Sequence, residues 1–155
     1  MDAVHPRVLG YLGRALSLEL TAVQQYMTQA CLAEQWGDPE SAQHFRHETV
    51  EELRHAETLV QRMLSLGVAP AASQLRPAGH GRALVDLLRH DLALEADLVA
   101  LYAEATRFCG LADDASNAAL FQQLWSEEQQ HAAHLEAWLQ RLVGPQALLP
   151  DRAMF

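Results

Sequence analysis

Cysteine is scarce in this chain, and its scarcity excludes two kinds of site. Only Cys31 and Cys109 occur among 155 residues. Two cysteines cannot supply an iron site built from four thiolates, and they cannot make a disulfide-rich scaffold. Because both stand isolated in helical surroundings with no export signal, we expect them to be reduced residues of the core.

Basic residues and long apolar runs are also few. Lys and Arg together number 11 against 20 Asp and Glu, which gives a formal net charge of −9. A nucleic-acid partner is not expected, because such proteins carry a basic surface. No apolar run reaches the roughly 18 residues that a membrane span needs, and the first residues lack the layout of a signal peptide. We therefore expect a cytoplasmic protein with no membrane contact.

Proline and glycine fall mostly between helical patterns. Ala, Leu, Glu and Gln dominate elsewhere, and this usage favours long helices. Apolar residues recurring every three or four positions predict four helices. The first three run from about Pro6 to Trp36, from about Pro39 to Leu66 and from about Arg82 to Cys109. The fourth has Ser116 or Asn117 as its cap and runs to about Val143.

The connections between these helices predict how they are arranged. The turn at Gly37 is short, so the first two helices should be antiparallel neighbours. The stretch from Gly67 to Gly81 has no helical period and is long enough to cross over along a bundle. The prediction is an all-α four-helix bundle in one domain, residues 1–155, with the bundle at about 5–143 and a tail or short helix at 144–155.

One pattern occurs twice along the chain. Each copy has a lone Glu on an apolar helical face and, further along, a Glu-x-x-His motif. The interval from the lone Glu to the motif is the same in both copies. The members are Glu19, Glu52 and His55 in the first copy and Glu95, Glu128 and His131 in the second. One Glu-x-x-His motif is usually a solvated pair, but two with matching lone Glu residues are difficult to obtain by chance.

These six side chains have the chemistry of a dinuclear metal site. Residues i and i+3 are neighbours on a helix face, so each motif presents a carboxylate and an imidazole together. Four buried carboxylates would be untenable without partners, and no Arg or Lys lies on those helical faces. Two divalent ions would balance their charge. Each ion could take one imidazole and one terminal carboxylate, while the other two carboxylates bridge. Mixed oxygen and nitrogen ligands suit iron or manganese.

Two tyrosines share this repeat. Tyr26 and Tyr102 lie two turns from Glu19 and Glu95 on the same helical faces. They could be large core residues whose hydroxyl makes one hydrogen bond, or they could supply an electron close to the metals.

Four segments together resemble bacterioferritins. They are Leu18-Glu-Leu-Thr-Ala-Val-Gln-Gln-Tyr26, Glu51-Glu-Leu-Arg-His-Ala-Glu57, Asp91-Leu-Ala-Leu-Glu95 and Glu127-Glu-Gln-Gln-His131. The resemblance covers about residues 5 to 145. It implies a ferritin-like bundle with one long crossover, and a di-iron ferroxidase centre that oxidises Fe(II) with dioxygen or hydrogen peroxide. It also implies a homo-oligomer, a dimer that builds a 24-subunit cage for ferric mineral.

Carried over residue by residue, the resemblance assigns roles. The family's iron ligands match Glu19, Glu52, His55, Glu95, Glu128 and His131. The tyrosine beside the centre matches Tyr26, and the inner-surface iron path matches His47 with Glu51. Bacterioferritins usually have a Met after the second-helix bridging Glu, and two such Met residues hold a haem. This chain has Leu53 there, which has no lone pair for iron, so haem is not expected.

Two other functions remain open on the sequence. One is a di-iron or di-manganese oxidase that works as a dimer and stores nothing. The other is a haem-free subunit that builds mixed cages with a haem-binding paralogue.

Overall fold

Four long helices make up most of the computed structural model, which describes residues 3–144. They are α1 (Pro6–Gln35), α2 (Pro39–Ser65), α3 (Leu84–Leu111) and α4 (Ala115–Val143). The all-α prediction is confirmed, and no described helix is apolar for long enough to cross a membrane. The predicted tail or short helix after residue 144 lies outside the described residues.

The start of α4 differs from the prediction. Asp114 caps it, rather than Ser116 or Asn117, and its Oδ1 accepts a hydrogen bond from the Asn117 backbone N–H at 3.1 Å. The reason lies in the preceding turn. Helix α3 continues through Gly110 to Leu111, and Asp113 then takes a positive φ of 55°, which reverses the chain within three residues.

The start of α3 also lies two residues later than predicted. The Asp86 carboxylate accepts hydrogen bonds from the backbone N–H groups of Arg82, at 3.1 Å, and Ala83, at 3.2 Å. These bonds satisfy donors that have no partner inside the helix, so Arg82 and Ala83 stay outside the first turn.

One face of each helix packs into a common core. Its largest fully buried apolar side chains are Tyr11, Tyr26, Tyr102, Phe45, Phe121, Leu12, Leu59, Leu87, Leu88, Leu98 and Leu135. Cys109 is buried there as a free thiol, as expected. The expectation for Cys31 is wrong, because this residue is exposed. It follows Met27 by one helical turn, and both lie on the exposed side of α1.

A polar stripe on α1 holds the crossover that joins α2 to α3. Ser17, Thr21, Gln25 and Gln29 follow one another at intervals of four residues, so they share one helical face. Their partners on the crossover lie in the same order along the chain: Gln74 N–H to Ser17 Oγ at 3.1 Å, Arg76 N–H to Thr21 Oγ1 at 3.2 Å, Gly79 N–H to Gln25 Oε1 at 2.9 Å, and Gln29 Nε2 to Gly79 O at 3.1 Å.

This stripe fixes the direction of the third helix. The crossover runs parallel to α1, whereas α2 returns antiparallel to it after a short turn. Helix α3 therefore starts at the end of the bundle where α1 finishes, and it runs parallel to α2, as predicted. Gly79 must be a glycine here, because a Cβ at this position would lie 2.6 Å from His90 Cβ.

Candidate metal centre

Six side chains meet in the middle of the bundle. Helix α1 contributes Glu19 and α3 contributes Glu95, while each Glu-x-x-His motif comes from α2 or α4. The structure thus brings together all six predicted metal ligands, namely Glu19, Glu52, His55, Glu95, Glu128 and His131. The four carboxylates are fully buried, His55 is 4% exposed and His131 is partly buried.

The six residues form two overlapping groups. Glu19 and His55 form one group with Glu52 and Glu128, and one donor atom from each member lies within 4.8 Å of the others. Glu95 and His131 form a second group of the same kind with the same two carboxylates, Glu52 and Glu128. Because Glu52 and Glu128 belong to both groups, two cations held there would be neighbours with two carboxylates in common.

The imidazole of His55 is oriented from both of its nitrogens. Its Nδ1 lies 2.7 Å from Glu128 Oε1 and 3.1 Å from Glu52 Oε2, the carboxylates common to both groups. Its Nε2 lies 2.8 Å from Glu127 Oε2, on the outer side of the ring. A carboxylate behind a ligating imidazole fixes the ring and raises its basicity, so Glu127 would orient His55 if a cation were bound there.

His131 occupies the equivalent position on the other side. Its Nδ1 lies 2.8 Å from Glu52 Oε1 and 3.3 Å from Glu128 Oε2. A further carboxylate, Glu48, lies 3.6 Å from the same nitrogen. The two imidazole rings lie 5.6 Å apart with an angle of 18° between their planes, so they stack across the centre.

Glu19 and Glu95 each accept a hydrogen bond from a buried tyrosine. The Tyr26 hydroxyl donates to Glu95 Oε1 at 2.7 Å, and the Tyr102 hydroxyl donates to Glu19 Oε1 at 2.5 Å. Burial, followed by the charge of the carboxylate partner, raises the pKa of both phenols well above the usual value. Both tyrosines therefore hold their protons at neutral pH.

Without cations, protons balance the charge of the centre. Burial and the neighbouring carboxylates raise the pKa of Glu19 and Glu95 well above the usual value. Burial opposes a charge on His131, but hydrogen bonds to Glu128 and Glu52 outweigh it and raise the pKa of His131 to about 10. Burial also opposes the charge on Glu128, but its hydrogen bonds to both imidazoles outweigh that effect and lower its pKa.

The donor set fits divalent cations better than it fits protons. One oxygen each of Glu19 and Glu95 is buried and has no hydrogen-bond partner among residues 3–144. Buried polar atoms are rarely left unpaired in folded proteins, so these oxygens mark the side from which a ligand would be bound. Carboxylate oxygens with two imidazole nitrogens suit iron or manganese.

Comparison with known proteins agrees with this geometry. A family model described as "Ferritin-like domain" matches residues 9–143. A bacterioferritin from Rhodobacter capsulatus is 34% identical over 142 residues, which cover 90% of this chain and 88% of that protein. The chain belongs to the bacterioferritin family. A bacterioferritin from Mycolicibacterium paratuberculosis is 34% identical over 135 residues, covering 87% of this chain and 85% of that protein.

Solved bacterioferritins share the four-helix architecture. The Rhodobacter capsulatus protein superimposes with a TM-score of 0.86 at 34% identity, covering 99% of this chain and 100% of its own. That structure is described as having a metal-free dinuclear site and a haem iron in a crystallographic special position. Bacterioferritin from Mycobacterium tuberculosis gives a TM-score of 0.85 at 30% identity, covering 94% of this chain and 92% of its own. The predicted ferritin-like bundle and the family resemblance are confirmed.

Three residues named by the bacterioferritin resemblance lie outside the six-residue cluster. His47 is exposed, and Glu51 is partly buried, with a carboxylate oxygen 3.4 Å from Arg54 Nη1. Leu53, at the position of the haem-binding Met, is 52% exposed on the outer side of α2.

Sequence reasoning missed two carboxylates that this chain buries near the six-residue cluster. Glu48 precedes Glu52 by one helical turn, so the i, i+4 spacing was a readable signal. Asp91 precedes Glu95 by the same interval and accepts a hydrogen bond from Gln25 Nε2 at 2.7 Å. Burial raises the pKa of Asp91 to about 7 despite that bond. Both residues extend the acidic interior beyond the six predicted ligands.

Proposed function

We propose that this protein is a cytoplasmic bacterioferritin that oxidises Fe(II) at an intrasubunit dinuclear centre and stores the Fe(III) product in a cage. One observation carries the proposal. The two four-residue groups have Glu52 and Glu128 in common, which is the arrangement that holds two ions side by side. Membership of the bacterioferritin family and the dinuclear site described for the Rhodobacter capsulatus relative support the same function.

In this proposal the six residues have separate roles. Glu19 and His55 bind one Fe(II), Glu95 and His131 bind the second, and Glu52 with Glu128 bridges the two. Iron is the substrate, and manganese is the other metal that the ligands would accept. Dioxygen, or hydrogen peroxide, takes up the electrons. Burial of all four carboxylates keeps the ligand set largely free of bulk water, which strengthens their hold on a cation.

Two further groups complete the assignment. Tyr26 holds its proton against Glu95 and is close enough to the centre to give up an electron. His47 and Glu51 remain our proposed path for iron, and Glu48, 3.6 Å from His131 Nδ1, would connect that path to the second ion.

An exposed apolar surface supports self-association. Met27, Val50 and Leu53 are 51%, 55% and 52% exposed, and they occupy the outer sides of α1 and α2. Helices α1 and α2 are antiparallel, and contacts between Arg46 and Glu34 and between His55 and Glu19 set their register. This register brings Met27 of α1 close to Val50 of α2. We infer that this surface faces a second copy of the chain in a two-fold dimer, the unit from which the cage is built.

The proposal is tested by measuring oxidation and assembly mass on one sample. We expect added Fe(II) to oxidise rapidly under air, in an assembly that retains many more than two irons per chain. Each chain has a mass of 17.2 kDa, and a cage of twenty-four chains is twelve times as heavy as a dimer. Light scattering separates these two assemblies. Rapid oxidation by a dimer that retains no mineral would instead support a non-storage oxidase.

Leu53 leads to a prediction about haem. Homo-oligomers of the parent chain should bind no haem at this position, because leucine offers only a branched hydrocarbon. Leu53→Met should place two thioethers across the proposed two-fold axis and create haem affinity, visible as a Soret band with bis-thioether character after reconstitution. Leu64→Met is the matched control, since Leu64 is another exposed leucine of α2, at 58%.

The same experiment can contradict this assignment. If the parent chain bound stoichiometric haem through methionine, Leu53 would not be the haem position, and the exposed Met27 would be the next side chain to replace. Co-purification of a second, haem-binding subunit type with the parent would favour the mixed-cage alternative, for which Leu53 is the specific observation.

A further inference from the structure

The two tyrosines at the centre have equivalent positions. This chain has three tyrosines, and two of them, Tyr26 and Tyr102, are separated by the same interval as Glu19 and Glu95 in the internal repeat. Each comes from the helix opposite its carboxylate partner, with Tyr26 bonded to Glu95 and Tyr102 to Glu19. Both are fully buried, so the two ends of the centre have the same phenol–carboxylate pair.

The surroundings of the two rings are repeated as well. Tyr26 lies 6.4 Å from the ring of Phe45 with an interplanar angle of 26°, and Tyr102 lies 6.2 Å from Phe121 at 34°. Phe45 and Phe121 are also equivalent positions of the internal repeat. The two phenols have the same kind of hydrogen bond, burial and aromatic neighbour, so their redox chemistry should be similar.

We propose that Tyr102 is a second electron donor, and that Tyr26, Tyr102 and two Fe(II) ions together reduce one dioxygen molecule to two water molecules. This inference rests on the proposed ferroxidase function. Reduction of dioxygen to water takes four electrons. Two Fe(II) ions supply two electrons, one tyrosine raises the total to three, and the second tyrosine completes the four within one subunit.

The atoms and charges of this step balance. Each Fe(II) loses one electron, and each phenol loses one electron and one proton. Two further protons come from solvent, the O–O bond breaks, and four O–H bonds form in two water molecules. Each phenol proton has an acceptor at hydrogen-bond distance, Glu95 for Tyr26 and Glu19 for Tyr102. Later Fe(II) ions return the tyrosyl radicals to phenols by supplying one electron, with one proton from solvent, to each.

The consequence is that a single turnover should release no hydrogen peroxide. With the iron electrons alone, dioxygen is reduced by two electrons and leaves as peroxide. The number of redox-active tyrosines therefore decides the product, and two measurable quantities report it: the yield of peroxide and the number of tyrosyl radicals per centre.

The experiment loads the protein anaerobically with two Fe(II) per chain and mixes it with dioxygen. In the parent we expect close to two tyrosyl spins per centre after rapid freezing, with ring-deuterated tyrosine confirming the assignment by its narrowed spectrum. Catalase should return almost no dioxygen. Tyr102→Phe leaves three electrons, one too few to reduce dioxygen to water, so it should lower the spin count and raise the peroxide yield. Tyr26→Phe with Tyr102→Phe should give no tyrosyl signal and about one peroxide per dioxygen.

Tyr11→Phe is the matched control. Tyr11 is the third tyrosine, is equally buried, and donates its hydroxyl hydrogen bond to Glu104 at 2.8 Å, away from the centre. Its replacement should leave spin count and peroxide yield at the parent values. Anaerobic Co(II) titration shows whether each variant still binds two cations, a readout that does not depend on oxidation.

The parent protein alone can overturn the proposal. A parent that oxidises Fe(II) rapidly but yields no more than one tyrosyl spin per centre would show that Tyr26 and Tyr102 do not both donate an electron, while the ferroxidase function stands. So would a Tyr102→Phe variant that binds two Co(II) and has the parent's spin count and peroxide yield. A parent that does not oxidise Fe(II) at all would refute the proposed function itself, and with it the role of Tyr102.

Discussion

Glu52→Gln is expected to slow aerobic Fe(II) oxidation by more than about 100-fold, because Glu52 belongs to both donor groups of the centre. Loss of a residue that merely supports a metal ligand already costs about 10- to 100-fold in affinity or activity. Replacement of a carboxylate held by both ions should cost more. Stopped-flow absorbance of Fe(II)-loaded protein mixed with air-saturated buffer measures the rate.

The controls separate loss of the ligand from damage to the fold. Glu57→Gln changes an exposed glutamate further along the same helix and should oxidise iron at the parent rate. Glu19→Ala and His131→Ala, which each affect one group only, should also abolish fast oxidation while far-ultraviolet circular dichroism stays unchanged. Near-parent rates in all three ligand variants would exclude the dinuclear assignment.

Removal of bound metal should lower the melting temperature by about 10 to 20 °C near neutral pH. A ligand that binds only the folded state at 100 times its dissociation constant adds about 2.7 kcal/mol. Two ions would therefore add about 5 kcal/mol, and in a chain of this size 1 kcal/mol changes the melting temperature by about 2 to 4 °C. Thermal melts with and without Zn(II), which is not oxidised, measure the difference.

The sign of the pH dependence follows from the pKa directions. Glu19, Glu95 and His131 all have a folded-state pKa above the unfolded value, His131 at about 10. The empty folded protein thus holds protons that the unfolded chain has lost, so its stability falls as pH rises from about 5 to 8. Cations replace these protons, and the stabilisation by Zn(II) should grow over the same interval.

Two outcomes would contradict this expectation. The first is an empty protein that melts at the same temperature as the loaded one at neutral pH. The second is a Glu52→Gln variant that gains as much from Zn(II) as the parent, since that would place the stabilising ion away from the centre.

The local chemistry of the candidate metal centre was readable from the sequence. Glu52 and His55 are three residues apart, and a helix brings such a pair onto one face whatever surrounds it. The interval from Glu19 to Glu52 recurs from Glu95 to Glu128, so the same argument held for both halves. Apolar periodicity, the short turn at Gly37 and the long crossover depend on local geometry too, and the helices they predicted are confirmed.

Contacts between helices were decided by the tertiary structure. Only packing shows that Glu52 and Glu128 belong to both donor groups, that the phenols of Tyr26 and Tyr102 bond to carboxylates on opposite helices, and that Glu48 is buried beside His131. The sequence by itself determined which side chains share a helical face, because backbone hydrogen bonds fix that spacing within one helix. It did not determine which helix faces meet or the axial offset between helices. Both depend on the rotation and position of each helix that allow the side chains of all four to pack.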